Sequence, residues 1–267
     1  MPVGIARVDE AAEAFTEDTL LDGRVLLRQP RKGNRAGVDG LILAASVPAA
    51  PGDHVVDFGA GSGVAGLAVA ARVSDINVTG VDNDPAMVAL AADNYARNGA
   101  NGRAVMLDLC AGASVRKAAC ETTGLEAATV DRVLANPPFD LEGTVRTPPT
   151  GAREAAHVAG PDLLDTWSRA AAALLKPRGT FTLIQRAAHL EIVLAAFKDR
   201  FGDLVVRPVH PRADEPAIRV VVTGTKGRRG RLSLAPPLIL HPPRTGAATE
   251  ATYTVDADAV LRGMAAI

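Results

Sequence analysis

Apolar residues along the chain fall into short β-branched runs that alternate with alanine-rich stretches of helical period, and the alternation is regular from residue 54 onward. His54 to Phe58, Asn77 to Asp82, Ala104 to Leu109, Val130 to Ala135 and Thr180 to Gln185 read as strands. Between them, Val64 to Val73, Pro85 to Asn98 and Asp162 to Leu175 read as helices, with Ser62 as an expected N-cap, Gly99 as a stop, and Pro177 and Gly179 closing the third. Cys110 to Thr129 reads as a loop or short helix. Strand, crossover helix, strand is the signature of a parallel sheet. After a helix over Leu190 to Phe201, Leu204 to Val209 and Ile218 to Thr223 follow as two strands with no helix between them, which implies an antiparallel pair at the sheet edge. The pattern predicts an α/β fold whose seven-stranded sheet is mostly parallel with its last strand reversed, whereas a dinucleotide-binding fold keeps winding in parallel.

Both flanks are expected to pack on this core. Residues 1–53 form a lead-in, with a strand at Arg24 to Gln29 and an apolar helix at Val38 to Val47 lying over the ligand edge of the sheet. The core spans 54–231, and 232–267 is an extension in which Pro236, Pro237, Pro242 and Pro243 bracket an edge strand at Leu238 to Leu240, with a helix at Asp256 to Met264. Hydrophobic residues are 48% of the 267 and charged residues 22%, a globular composition with no apolar run long enough for a bilayer. No basic leader is visible, so a cytoplasmic location is expected. Cys110 and Cys120 lie outside any metal-ligand spacing, which argues for two small buried hydrophobes and against a disulfide framework or bound metal.

A formal net charge of −1 does not by itself mark a nucleic-acid binder. Basic residues do collect at Arg24, Arg28, Arg31, Lys32 and Arg35 and again at Arg207, Arg212, Arg219, Lys226, Arg228, Arg229 and Arg231. Each cluster is either a phosphate-contacting surface or a solvated face.

Candidate chemistry begins at Asp57, followed by Gly59, Gly61 and Gly63 at the carboxyl end of a strand. Glycines there let the chain turn sharply and let a ligand approach a helix N-terminus. The spacing is G-x-G-x-G, and Val64 occupies the place where a dinucleotide loop has its third glycine. Asp82 ends the next strand, placed for ribose hydroxyls, and Asp108 the one after, placed for an adenine amine. Asn83 and Leu109 fall in the same pocket. Carboxylates at three successive strand ends favour S-adenosylmethionine as the cofactor. Asp84 and Asp108 also suit turn formation and helix capping.

Asn136-Pro137-Pro138-Phe139 is the most specific signal in the chain. Two prolines cannot donate to a ladder, so the strand ends there with carbonyls facing the ligand edge. The Asn136 amide oxygen and the Pro137 carbonyl can accept the two N–H groups of a planar amine and localise its lone pair, while Phe139 stacks on the ring. His157 is a weaker substrate candidate, and Trp167 reads as helix-face core.

With these motifs the sequence resembles the bacterial tRNA1(Val) (adenine-37-N6)-methyltransferase family. The resemblance also takes in Gly23-Arg24, Gln29-Pro30, Gly33 to Asp39, Ala156-His157, His210-Pro211-Arg212, and Arg219 through Lys226-Gly227. It implies a class I (Rossmann-like) methyltransferase fold, S-adenosylmethionine as donor, a tRNA anticodon loop as partner, and Arg35 and Asp39 in the cofactor pocket. His157, Arg212, Arg219 and Lys226 are the residues expected toward substrate. Asn34 stands where the family has tyrosine. Rival readings are a protein-glutamine or guanine-N2 methyltransferase, a small-molecule O-methyltransferase, and a non-catalytic RNA-binding module.

Overall fold

The computed structural model describes residues 15–31, 37–138, 161–244 and 252–267. In chain order the elements are β1 (Phe15–Leu20), β2 (Val25–Pro30), α1 (Val38–Ser46), β3 (His54–Phe58), α2 (Val64–Arg72), β4 (Asn77–Asp82) and α3 (Pro85–Arg97). There follow β5 (Gly102–Met106), α4 (Ala113–Thr123), β6 (Val130–Ala135), α5 (Pro161–Leu174) and β7 (Leu175–Arg186), then a 3-10 turn at Ala187–His189 and α6 (Leu190–Phe197). The chain closes with β8 (Phe201–His210), β9 (Arg219–Lys226), β10 (Ser233–Leu234), β11 (Leu238–Ile239) and α7 (Val255–Leu261).

The main sheet runs β10-β8-β9-β7-β6-β3-β4-β5, with β11 also on β8. Strands β3 to β7 pair in parallel, and β9 is antiparallel to both β7 and β8. The expected antiparallel pair is present at one end of the sheet, and its reversed strand, β9, lies between β7 and β8. The composition of the two strands accounts for this. Val220, Val221 and Val222 are buried in succession, which requires cover on both faces. Pro208 lacks an N–H, which suits β8 to the outer position, where only the two-residue strands β10 and β11 join it.

Other boundaries move for local reasons. The helix expected to reach Phe201 stops at Phe197; Phe201 opens β8, and its ring packs 5.1 Å from Phe197 and 5.7 Å from Phe181. The long connection after β5 contains α4, ended by Gly124 at φ 68°. Ser62 does not cap α2: Gly63 holds that position in the left-handed region, with no side-chain cap. Before β2 the chain forms β1, an unexpected partner that makes a separate antiparallel hairpin.

Strand alternation divides the core. Val55 and Leu134 join one layer with α1, α2, α3 and α7, while Val56, Phe58, Val133 and Ala135 join a second layer with α5 and α6. The first layer draws the flanks onto the core. Ile267 N–H bonds the Ala45 carbonyl at 3.0 Å, Arg262 pairs with Asp22 at 2.7 Å, and the Arg24 guanidinium donates to the Arg262 carbonyl. Among the described residues no helix is long and apolar enough to cross a membrane.

Candidate active site

The carboxyl ends of β3, β4, β6 and β7 lie along one edge of the sheet, and most of the candidate residues are there. The turn after β3 is pinned from three directions. Gly61 N–H donates to Asp82 Oδ2 at 2.8 Å, Gly66 N–H donates to Asp57 Oδ2 at 3.0 Å, and the Ser62 carbonyl accepts from Asn94 Nδ2 at 2.9 Å. The glycines have different duties. Gly61 has φ 54° and open space where a side chain would be, so it leaves room for a ligand. At Gly59, by contrast, a side chain would meet Trp167 at 2.8 Å. Trp167, a buried core residue as expected, meets Phe58 edge to face and underlies the turn.

Asp57 lies behind this turn, 2% exposed, and faces α2 and α3. Burial, helped by the Asp82 carboxylate, pushes its carboxyl up to about 7, while the bond from Gly66 N–H pulls the other way. Asp82 is half-buried at the end of β4, its second oxygen accepting from Asp84 N–H at 3.0 Å; Asn83 beside it is exposed. Asp84 caps α3 by accepting from Ala86 N–H at 2.8 Å. Asp108 is exposed two residues beyond β5 and makes a turn with Cys110 N–H at 2.8 Å, while Leu109 is buried. Cys110 and Cys120 are half-buried, not core, and burial raises both thiols.

Beyond β6, Pro137 is buried and Pro138 exposed. The Asn136 Oδ1 atom is buried without a hydrogen-bond partner among the described residues. A buried acceptor left this way costs about 1–3 kcal/mol unless a donor arrives. Gln185, fully buried at the end of β7, steadies the turn by donating from Nε2 to the Pro138 carbonyl at 3.4 Å. Neither Gln185 nor Asn94 was singled out from sequence. Gln185 is an amide closing an apolar strand and Asn94 one polar residue among several in its helix, so periodicity marks neither.

Asp39, in the first turn of α1, pairs with Arg219 at the start of β9, 3.1 Å away. The lead-in and the far side of the sheet thus meet at the ligand edge. Arg212, just past β8, pairs with Glu215 at 3.2 Å. Lys226 does not join them: it ends β9 at the opposite edge, where Nζ bonds the Leu175 carbonyl. Arg35, Phe139 and His157 fall outside the described residues.

The family model for the methyltransferase small domain matches residues 38–205, from α1 through most of the parallel sheet and into β8. The chain belongs to the methyltransferase small domain family. A tRNA1(Val) (adenine(37)-N6)-methyltransferase of Aeromonas hydrophila is 28% identical over 195 residues, covering 72% of this methyltransferase and 77% of the relative. The namesake in Klebsiella pneumoniae is 32% identical over 110 residues, 41% of this chain and 42% of that one. A solved structure from Agrobacterium tumefaciens, described as a predicted O-methyltransferase, superposes with a TM-score of 0.69 at 31% identity, covering 86% of this chain and 98% of the other. The methyltransferase is therefore a class I, S-adenosylmethionine-dependent enzyme, and its site suits that cofactor: an open glycine cradle with an acid beside it at the end of β4.

Proposed function

We propose that this methyltransferase modifies the exocyclic N6 amine of an adenine in RNA, with a tRNA anticodon loop as the target. The observation that carries the reading is the buried, unmatched Asn136 Oδ1 at the end of β6. When bound, the cofactor supplies an electrophilic methyl group. The chain supplies what a delocalised ring amine lacks. Asn136 Oδ1 accepts one N–H and the Pro137 carbonyl the other, so the nitrogen lone pair is localised and aimed across the gap toward the glycine turn. Two successive prolines present acceptors without a competing N–H, which fits a donor-rich amine. Gln185 keeps the second proline in register. The names of the Aeromonas and Klebsiella relatives support adenine in tRNA as the acceptor. Phe139 is assigned to stack on the base, and Arg35 and Asp39 to border the cofactor.

The Agrobacterium structure favours one other reading, transfer to oxygen. One experiment separates them. Purified protein is incubated with labelled S-adenosylmethionine and total tRNA, and the nucleosides are resolved by mass spectrometry. The expected product is N6-methyladenosine, with Asn136→Ala slower by about 100-fold or more, the cost of losing one placed polar group, and cofactor affinity nearly unchanged. Label on a hydroxyl or a protein amide, or equal rates for the two proteins, overturns the proposal.

A further inference from the structure

Asn94, in α3, and Asn98, which caps that helix, lie one turn apart, both turned toward the N-terminal hairpin. Asn98 Oδ1 accepts Leu26 N–H at 2.8 Å, and its Nδ2 donates to the Leu26 carbonyl at 2.8 Å. Asn94 does the same two residues along β2, with Oδ1 accepting Arg28 N–H at 2.9 Å and Nδ2 donating to the Arg28 carbonyl at 2.8 Å. Alternate residues of one strand edge are thus satisfied by two side-chain amides, much as a neighbouring strand would satisfy them. The opposite edge of β2 is already paired with β1.

The two asparagines differ in their last hydrogen. Asn98 spends it within its own helix, on the Asn94 carbonyl at 2.8 Å, whereas Asn94 donates it to the Ser62 carbonyl in the cofactor turn. Asn94 is 0% exposed, and its one acceptor and both amide hydrogens are engaged. Its neighbour Tyr95 makes the contact stiff. The Tyr95 ring and hydroxyl lie where side chains at Gly63, Gly66, Gly80 and Gly102 would be, at 3.1, 3.0, 2.7 and 3.0 Å, so α3 cannot slide without moving the turn.

We infer that Asn94 is a positioning residue that couples cofactor binding to docking of the N-terminal hairpin. The same amide fixes the turn that receives the cofactor and the strand that leads, through residues 31–37, into α1 and Asp39. Tightening one of these attachments tightens the other, and the coupling is reciprocal: cofactor steadies the hairpin, and a docked hairpin raises cofactor affinity. The inference rests on the cofactor site and not on the identity of the acceptor, so failure of the adenine reading leaves it standing.

The test compares Asn94→Ala with Asn98→Ala. Each variant loses two bonds to β2, and each melts at a lower temperature than wild type. Only the first also frees Ser62. Calorimetric titration with S-adenosylmethionine is expected to give a Kd about tenfold weaker for Asn94→Ala, the equivalent of ~1.4 kcal/mol, and within about twofold of wild type for Asn98→Ala, in which Asn94 still keeps the hairpin docked and Ser62 in place. Hydrogen exchange is the second readout: saturating cofactor slows exchange in residues 25–30 of the wild type and of Asn98→Ala, but not of Asn94→Ala. Equal shifts of Kd in both variants, no shift in either, or cofactor protection of β2 that survives Asn94→Ala overturns the coupling. Should Asn94→Ala be too unstable to titrate, Asn94→Asp keeps the acceptor and removes both donors; wild-type cofactor affinity in that variant overturns the coupling equally.

Discussion

Asp57 and Gly66 meet behind the glycine turn that follows β3, and their chemistry can be separated by substitution. With its carboxyl pushed up to about 7 from an ordinary 3.8, Asp57 retains a proton in the folded chain at pH values where the unfolded chain has released it. Its contribution to stability is therefore complete below the unfolded value and is lost as pH rises through about 7. Asp57→Asn keeps an acceptor for Gly66 N–H and removes the titration. Urea unfolding from about pH 5 to pH 7.5 should show wild type losing stability faster than the variant, by up to ~1.4 kcal/mol per pH unit. Parallel pH profiles would refute the assignment. Gly66→Ala and Gly61→Ala form a second contrast. A side chain at Gly66 meets Val78 at 2.7 Å and Tyr95 at 3.0 Å, so overpacking should cost about 1–3 kcal/mol. Gly61 faces open space but at φ 54°, so its alanine variant should cost about 1 kcal/mol of backbone strain and also lose cofactor affinity, whereas Gly66→Ala loses stability by overpacking, as titration and thermal melts would reveal. Motif spacing located the turn, yet it could not tell a glycine that clears room for a ligand from one that clears room for Trp167. That distinction depends on which side chain the tertiary fold brings underneath.

At the scale of elements, the parallel strands could be read because each is a compact apolar run bounded by turn residues. β1 could not: its sequence, Phe-Thr-Glu-Asp-Thr-Leu, carries two acids and two threonines, because a hairpin lying on the surface buries little. The rank of β9 within the sheet was equally hidden, since periodicity reports which face is covered and not which strand lies alongside. In retrospect Pro208 marks β8 as peripheral. The terminal helix α7 was expected, and the residue that starts it offers a test. Thr254 accepts from Ala257 N–H at 3.2 Å and donates to the Ile239 carbonyl at 2.6 Å, joining α7 to β11. Thr254→Ala should lower stability by about 1–2 kcal/mol, seen as a fall of a few degrees in Tm. An unchanged melt would mean that the cap contributes nothing to holding α7 against α1.

For the molecule as a whole, the basic clusters do not form one surface. Arg219 and Arg212, at the carboxyl end of the parallel strands, are paired with Asp39 and Glu215. Lys226 and Arg228 to Arg231 follow β9 to the other edge, where Arg228 pairs with Asp203 at 2.7 Å. Primary structure groups these charges, and the strand between them carries them to opposite ends of the sheet. Under the proposed activity, Arg229→Ser with Arg231→Ser should leave KM for tRNA within about twofold of wild type, since phosphate contacts matter where the backbone lies. A marked rise in KM, measured at fixed ionic strength, would place the nucleic acid across that far edge.

The late arrival of β9 between β7 and β8 also shapes how the polypeptide folds. Both neighbours are synthesised first, and neither can complete its ladder until residues 219–226 slot between them. A chain that stops before residue 219 lacks the native partner of both β7 and β8, so such a truncation is expected to aggregate more than the full chain, as sedimentation after cell-free synthesis would show. The hazard of misassembly is thus concentrated in a brief window before the valine-rich strand emerges, and chaperone dependence during expression should track that window.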